Sequence, residues 1–462
     1  MQMTQSTAPQ TWTDLQRPTP EWFRRAPFGI FFHWGPYSVP AWAEPSGELG
    51  TLDDEDWFLH NAYAEWYYNT IRLEGSPAQK HHHEVYGGAD YDDFLDQWKA
   101  EYFDAAEWMD LCASAGADYV VPTTKHHDGI TLWEAPGTGT RNTVHRGPRR
   151  DLIAEIARAA KDRGLRLGLY YSGGLDWHVR HLAPHTSGAS VQETSRPKDA
   201  EFAQYVYTHV QDLVDRFGPD ILWNDINWPD EGKHFGEHGL GELFRSYYEH
   251  HPEGVVNDRW GRETHYDFST AEYQNTDESA IDGPWEHCRG VGLSFGYNQM
   301  EGDEQYMTGR QISRYVGDVV SRGGRVLLNI GPRADGTIPE AQRTALLETG
   351  RWMAVAKPHL AGAVQSTLSP ASEHGWVRAL TSDPADGDGS TILLVDAEHG
   401  SDGRAGRATE VTEVTVSGMD GADLNRLTNE SAEWSEAVAE SDGSIAVTLS
   451  QDRPGPAVLR IS

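Results

Sequence analysis

Eight short apolar runs recur along the first three-quarters of the chain, at 28–34, 118–123, 165–171, 220–226, 254–258, 267–273, 291–297 and 325–330. Helical patterns separate several of them. In residues 91–115 the apolar Phe94, Leu95, Trp98, Tyr102, Trp108, Leu111 and Cys112 fall at helical spacing in two pieces, and Gly116 stops the second. Residues 151–162 and 200–217 are further helical runs that lead through Gly164 and through Gly218-Pro219 into the next strand. A strand that returns by way of a helix must lie parallel to its predecessor. Eight such strands predict an α/β chain with a (β/α)8 TIM-barrel-like domain. The last four have short connections, so some outer helices are expected to be missing or degenerate. After the helical run at 339–356 and Lys357-Pro358 the texture changes. GWVRALTS, STILLVDA, EVTEVTVSG, GSIAVTLS and PAVLRIS are short alternating runs punctuated by Gly and Asp. They predict a C-terminal antiparallel β-sandwich of about a hundred residues. The chain thus divides at 1–357 and 358–462.

The formal net charge of -33, from 71 acids against 38 bases, repels phosphate backbones and anionic membrane surfaces. Neither nucleic acid nor membrane is an expected partner, and no apolar run approaches the ~20 residues of a membrane helix. Cys112 and Cys288 are too few for a disulfide framework or a cysteine zinc site. The N-terminus has no apolar segment of the signal-peptide kind, so a soluble cytoplasmic protein is the default expectation. A secreted form trimmed of its signal would read the same. Nothing in the sequence opposes a homo-oligomer.

In a barrel the working residues come from the C-terminal ends of the strands. Those ends carry His33, His126 with His127, Tyr170 or Tyr171, Asp225, Asp258 with Arg259, and Glu272. Ile221, Trp223 and Asp225 sit two apart and share one strand face. A carboxylate on an apolar face needs either partners or a task; a buried cap for the following turn is the plainer of the two readings. Two carboxylates among 17 Trp and 19 Tyr suit glycoside hydrolysis, which needs paired acids and flat apolar rings for the sugar's C–H faces. The set lacks a serine nucleophile elbow, a phosphate loop and a nicotinamide fingerprint. His234 to His238 match H-x-x-E-H, but Gly236, Gly239 and Gly241 predict a loop where that motif requires a helix. His81-His82-His83-Glu84 has no ligand spacing, so no metal is expected.

FGIFFHWGPYSVPAW, YAEWYYN, TTKHHDG, GLYYSGGLDW, LWNDINWP, VVNDRWG, STAEYQ, WEHCRGVGLSFGYN and LLNIGPRADGTIP occur in that order. Together, from about Trp12 to Pro358, they resemble the α-L-fucosidases of glycoside hydrolase family 29. The resemblance implies a retaining exo-hydrolase of terminal α-linked L-fucose that works without metal or organic cofactor on a fucosylated glycan or glycoside. It implies that Asp225 is the nucleophile and Glu272 the acid/base. Glu286 is the rival acid/base, and Glu263 a more distant one. It further implies fucose contacts from His33, Glu65, Trp66, His126, His127, Tyr170 and Arg259.

Fucose carries a methyl group where other hexoses carry a hydroxymethyl group. Trp223, Phe295 and Phe31 are candidate walls for that methyl, and a hydroxyl placed there would lose water without gaining a partner, at a cost of ~1–3 kcal/mol. Ordinary barrel packing is the plainer reading of Phe295. The competing functions are a carbohydrate-binding protein with a degenerate glycosidase site, an inverting glycosidase, and a glycosidase acting on another fucose-configured sugar.

Overall fold

Strand β1 (Phe28–Phe32) is flanked on one side by β2 (Tyr119–Lys125), β3 (Arg166–Ser172), β4 (Ile221–Asp225) and β5 (Val255–Val256). On its other side lie β8 (Gly324–Ile330), β7 (Trp285–Gly290) and β6 (Ser269–Glu272). The structure, a computed structural model, describes residues 10–273, 283–373, 375–383, 385, 389–397, 412–419 and 422–462. All seven pairings in this sheet are parallel. A single parallel bridge from Asn257 to Phe268 joins the β5 and β6 edges and closes the TIM-like barrel.

Helices precede the strands they feed: Ala105–Ser114 before β2, Leu152–Asp162 before β3, Ala200–Phe217 before β4, Leu240–His250 before β5, and Gly309–Ser321 before β8. Four of them start on side-chain caps. Asp104, Asp151, Asp199 and Thr308 accept from backbone N–H groups of the first turn that have no partner within the helix. No helix stands between β5 and β6, as the short connection there predicts.

Inside the barrel Phe31, Tyr119, Val121, Tyr170, Ile221, Trp223, Val255, Phe268, Cys288 and Leu327 form one apolar cluster. β1 makes room for it through Gly29, where a Cβ would lie 2.3 Å from the Tyr119 ring. Phe23, from the short helix Glu21–Arg24, plugs the lower end. The Arg325 guanidinium lies 3.7 Å from the centre of its ring and donates to its carbonyl. The lower end is therefore packed solid, and chemistry is confined to the upper end.

One strand differs from expectation. The seventh is Trp285–Gly290, and 291–297 is the loop that follows it. WEHCRG reads as polar, yet Glu286 is fully buried and is satisfied by partners on other strands, which no local pattern reveals. The fifth and sixth strands are also shorter than the runs 254–258 and 267–273.

The helix Glu340–Leu360 leads into two antiparallel sheets. One orders Ala371–Glu373, Thr412–Ser417, Ile445–Leu449 and Ser435–Ala439. The other orders Leu427–Asn429, Ala457–Ile461, Thr391–Ala397, Gly375–Thr381 and Val364–Gln365. Glu410 and Val411 of EVTEVTVSG, and Gln274 of STAEYQ, lie outside the described residues. The sandwich has its own core around Leu393, Val395, Val414, Val447 and Leu459. Leu380, Ile392, Leu394, Trp434 and Val458 instead join the main cluster of the barrel, so the two parts share an apolar interface. Trp352 donates to the Pro456 carbonyl across it at 2.9 Å. Among the described residues no helix is long and apolar enough to cross a membrane.

Candidate active site

The upper end of the barrel opens into a cavity of about 250 Å³. His33, Glu65, Trp66, His126, His127, Tyr170, Trp223, Asp225, Arg259, Glu272 and Phe295 all line it, together with Phe31. Residues more than two hundred positions apart are brought together because parallel strands align their C-terminal ends on one rim.

Arg259 organises the rim. Its Nη1 donates to Asp225 Oδ1 at 3.0 Å, its Nη2 donates to Glu272 Oε2 at 3.0 Å, and its Nε donates to Thr270 Oγ1 at 2.9 Å. The guanidinium lies 4.7 Å from the centre of the Trp223 ring. Burial works against its charge, but Glu272, Cys288 and Asp225 outweigh burial and hold the guanidinium well above its ordinary value. Asp258 stands behind, accepting from Thr270 Oγ1 at 2.8 Å rather than facing the cavity.

Asp225 is held by two further donors and faced by one imidazole. Tyr170 donates its hydroxyl to Oδ2 at 2.8 Å and the Ile226 N–H donates to Oδ1 at 2.9 Å. His127 Nε2 stands 3.8 Å from Oδ2. His127 Nδ1 lies 2.7 Å from Ser172 Oγ, whose own proton goes to the Leu175 carbonyl, so Nδ1–H is the donor and Nε2 is left facing Asp225 as a bare acceptor. Burial pushes His126 and His127 well below the usual imidazole range and pushes His33 down to about 4, so all three are neutral near pH 7. Asn329 orients His33: its amide donates to the Phe295 carbonyl and its oxygen accepts from His33 Nδ1 at 2.7 Å.

Glu272, at the end of β6, accepts from Tyr63 Oη at 3.0 Å as well as from Arg259. Glu65 lies deeper, with the Gly296 N–H and the Ser294 hydroxyl donating to its Oε2 at 2.7 and 3.2 Å. Burial pushes its carboxyl up to about 7 against those donors. The aromatic wall is continuous: the Phe31 ring centre lies 5.1 Å from that of Trp223 and 6.5 Å from that of Phe295. A neutral, polar pocket with one apolar wall and two acids on one guanidinium suits a hydroxylated ring of modest size, with bond cleavage at the acids.

A family model described as alpha-L-fucosidase matches residues 1–357. The chain belongs to the α-L-fucosidase family. The human tissue alpha-L-fucosidase is 33% identical over 352 residues, covering 74% of this chain and 70% of that protein. The alpha-L-fucosidase of Dictyostelium discoideum is 30% identical over 354 residues, covering 75% of this chain and 72% of its own. Among solved structures, the Thermotoga maritima alpha-fucosidase in complex with fucose is 36% identical, with a TM-score of 0.82 over 99% of this chain and 100% of that one. The fucosidase reading of the motifs therefore holds, and the chain is a glycoside hydrolase.

Glu286, the rival acid/base, is not among the residues that line the pocket. Glu286 lies below the cavity inside the barrel, where its Oε1 accepts from Trp223 Nε1 at 2.9 Å and its Oε2 from Tyr119 Oη at 2.6 Å. Glu263 also lies outside the cavity lining. Tyr171 points the other way and bonds His209, which leaves Tyr170 as the strand-end tyrosine of the site. The H-x-x-E-H segment is a loop before the helix Leu240–His250. Tyr63, Asn329 and Ser172 act on the site and escape the sequence reading. Only Asn329 leaves a sequence signal, a polar residue near the end of an otherwise apolar strand.

Proposed function

We propose that this fucosidase is exo-acting and retaining, releasing terminal α-linked L-fucose through a covalent fucosyl–Asp225 intermediate. In the first step Asp225 attacks the anomeric carbon while Glu272 gives its proton to the departing oxygen. In the second Glu272 takes a proton from water, and that water displaces Asp225. The bridge made by Arg259 carries this reading. One guanidinium spans both carboxylates and so brings the two acids to the same point of the pocket, as a nucleophile and its acid/base require; retention predicts a carboxyl separation of ~5–5.5 Å and inversion one of ~6.5–9.5 Å.

Under the same reading the sugar's hydroxyls meet Glu65, Tyr170 and the neutral imidazoles of His33, His126 and His127, with Trp66 and Arg259 completing the grip. The C6 methyl rests against Phe31, Trp223 and Phe295. A 2-fluorofucosyl fluoride, which forms the intermediate but resolves it slowly, should label Asp225, read by peptide mass spectrometry. Asp225→Ala should abolish turnover. A label on any other residue would remove Asp225 from the role.

A further inference from the structure

Five apolar residues of the cavity lining are not among the fucose contacts named above. They are Leu49, Trp57, Phe58, Val191 and Ile226, a wall with Gln192 exposed at its rim. Trp57, Phe58 and Val191 belong to an apolar cluster that continues from Trp66 and Phe295 of the fucose pocket through Tyr63 and Trp177, and Leu49 and Ile226 pack against it. The wall is tied together. Both carboxylate oxygens of Asp54, at the start of the helix Asp54–Leu59, accept from the Gly188 N–H at 3.0 and 2.9 Å, joining that helix to the segment carrying Val191.

Two links place this wall beside the acids. Tyr63, which donates to Glu272, packs edge-on against Trp57 with ring centres 5.2 Å apart. Ile226 follows Asp225 directly and adopts φ +67, a left-handed conformation that a β-branched residue rarely takes. Asn227 follows at φ +129. The Ile226 side chain is seated over Gly174, where a Cβ would come within 3.0 Å of Ile226 Cβ. A residue held against its own backbone preference beside the reacting carboxylate marks a position where the side chain's direction matters.

Building on the proposed roles of Asp225 and Glu272, we infer that Leu49, Trp57, Phe58, Val191 and Ile226 form a leaving-group subsite for a neutral aglycone with an apolar face, either an aromatic ring or the C–H face of a pyranose. The wall lies on the side where Glu272 protonates the departing oxygen, so the group that leaves passes over it. Arg259 is the single cation among the described lining residues and is engaged by the two acids, so an anionic aglycone finds no partner. Ile226 is the specificity-determining member, because its conformation aims an apolar surface at the first atoms beyond the scissile bond.

The test compares kcat/KM for three substrates in the full chain: α-L-fucosyl fluoride, whose leaving group is too small to reach the wall, 4-nitrophenyl α-L-fucoside, and a neutral fucosyl disaccharide. In Ile226→Gly, which suits the left-handed backbone and keeps the N–H to Asp225, the ratio of the larger substrates to the fluoride should fall about tenfold or more. Leu49→Ser, at a half-buried position of the wall, should lower the same ratio. A fall confined to the aryl substrate assigns the wall to aromatic aglycones, and one confined to the disaccharide assigns it to sugars. An unchanged ratio in both variants overturns the subsite. Failure of the unsubstituted enzyme to hydrolyse the fluoride overturns the fucosidase roles on which the subsite rests.

Discussion

Replacing Glu65 by glutamine should make the protein more stable at high pH and should change it little in acid. Burial raises this carboxyl from 4.5 to about 7 even though the Gly296 N–H and the Ser294 hydroxyl donate to it. Between those two pH values the folded chain holds a proton that the unfolded chain has released, so the folded state loses stability as pH rises through that window. The shift corresponds to about 3 kcal/mol, absent below pH 4.5 and complete above pH 7. Glutamine is neutral throughout, and its carbonyl oxygen can still accept from Gly296. Asp128 and Glu301 are also pushed up by burial and titrate nearby, to about 6 and about 8, so the quantity to follow is the variant's gain over the parent at each pH. Thermal melts from pH 4 to pH 8 should show that gain growing from near zero to several degrees, with most of the rise between pH 4.5 and 7. A gain that stays constant across the series would refute the argument that burial, rather than the hydrogen bonds, controls Glu65.

Glu272→Ala should slow the glycosylation step far more for substrates with poor leaving groups than for activated aryl fucosides, and Glu286→Ala should show no such leaving-group dependence. Glu286→Leu should cost about 2–5 kcal/mol of stability, because it strips partners from the buried Tyr119 hydroxyl and Trp223 indole; a melt unchanged from the parent would contradict the buried network. Gly29→Ala should destabilise by about 1–3 kcal/mol in the same assay, since its Cβ would meet the Tyr119 ring at 2.3 Å and neither strand can move without breaking register.

The barrel was legible because seven of its strands are apolar runs near turn residues and its main helices show helical spacing that ends in glycine. Asp225 was legible for a related reason: a charge two residues from Trp223 on an apolar strand stands out. The seventh strand was not, because the groups that satisfy Glu286 come from β2 and β4 and only the closed barrel brings them near. Tyr63 and Asn329 were missed on similar grounds. Tyr63 bonds a residue 209 positions away, and Asn329 bonds His33 across 296. The left-handed turn at Ile226 and Asn227 carries no glycine or proline, so nothing in LWNDINW announces it. It is imposed by packing over Gly174 and by the hydrogen bond to Asp225.

The most direct test of the central claim is the anomeric configuration of the first sugar released, followed by proton NMR during hydrolysis of an aryl α-L-fucoside before mutarotation sets in. The proposed fucosyl–Asp225 intermediate predicts α-L-fucose as the initial product. β-L-Fucose would mean that water attacks directly, and the fucosyl–Asp225 intermediate would have to be abandoned.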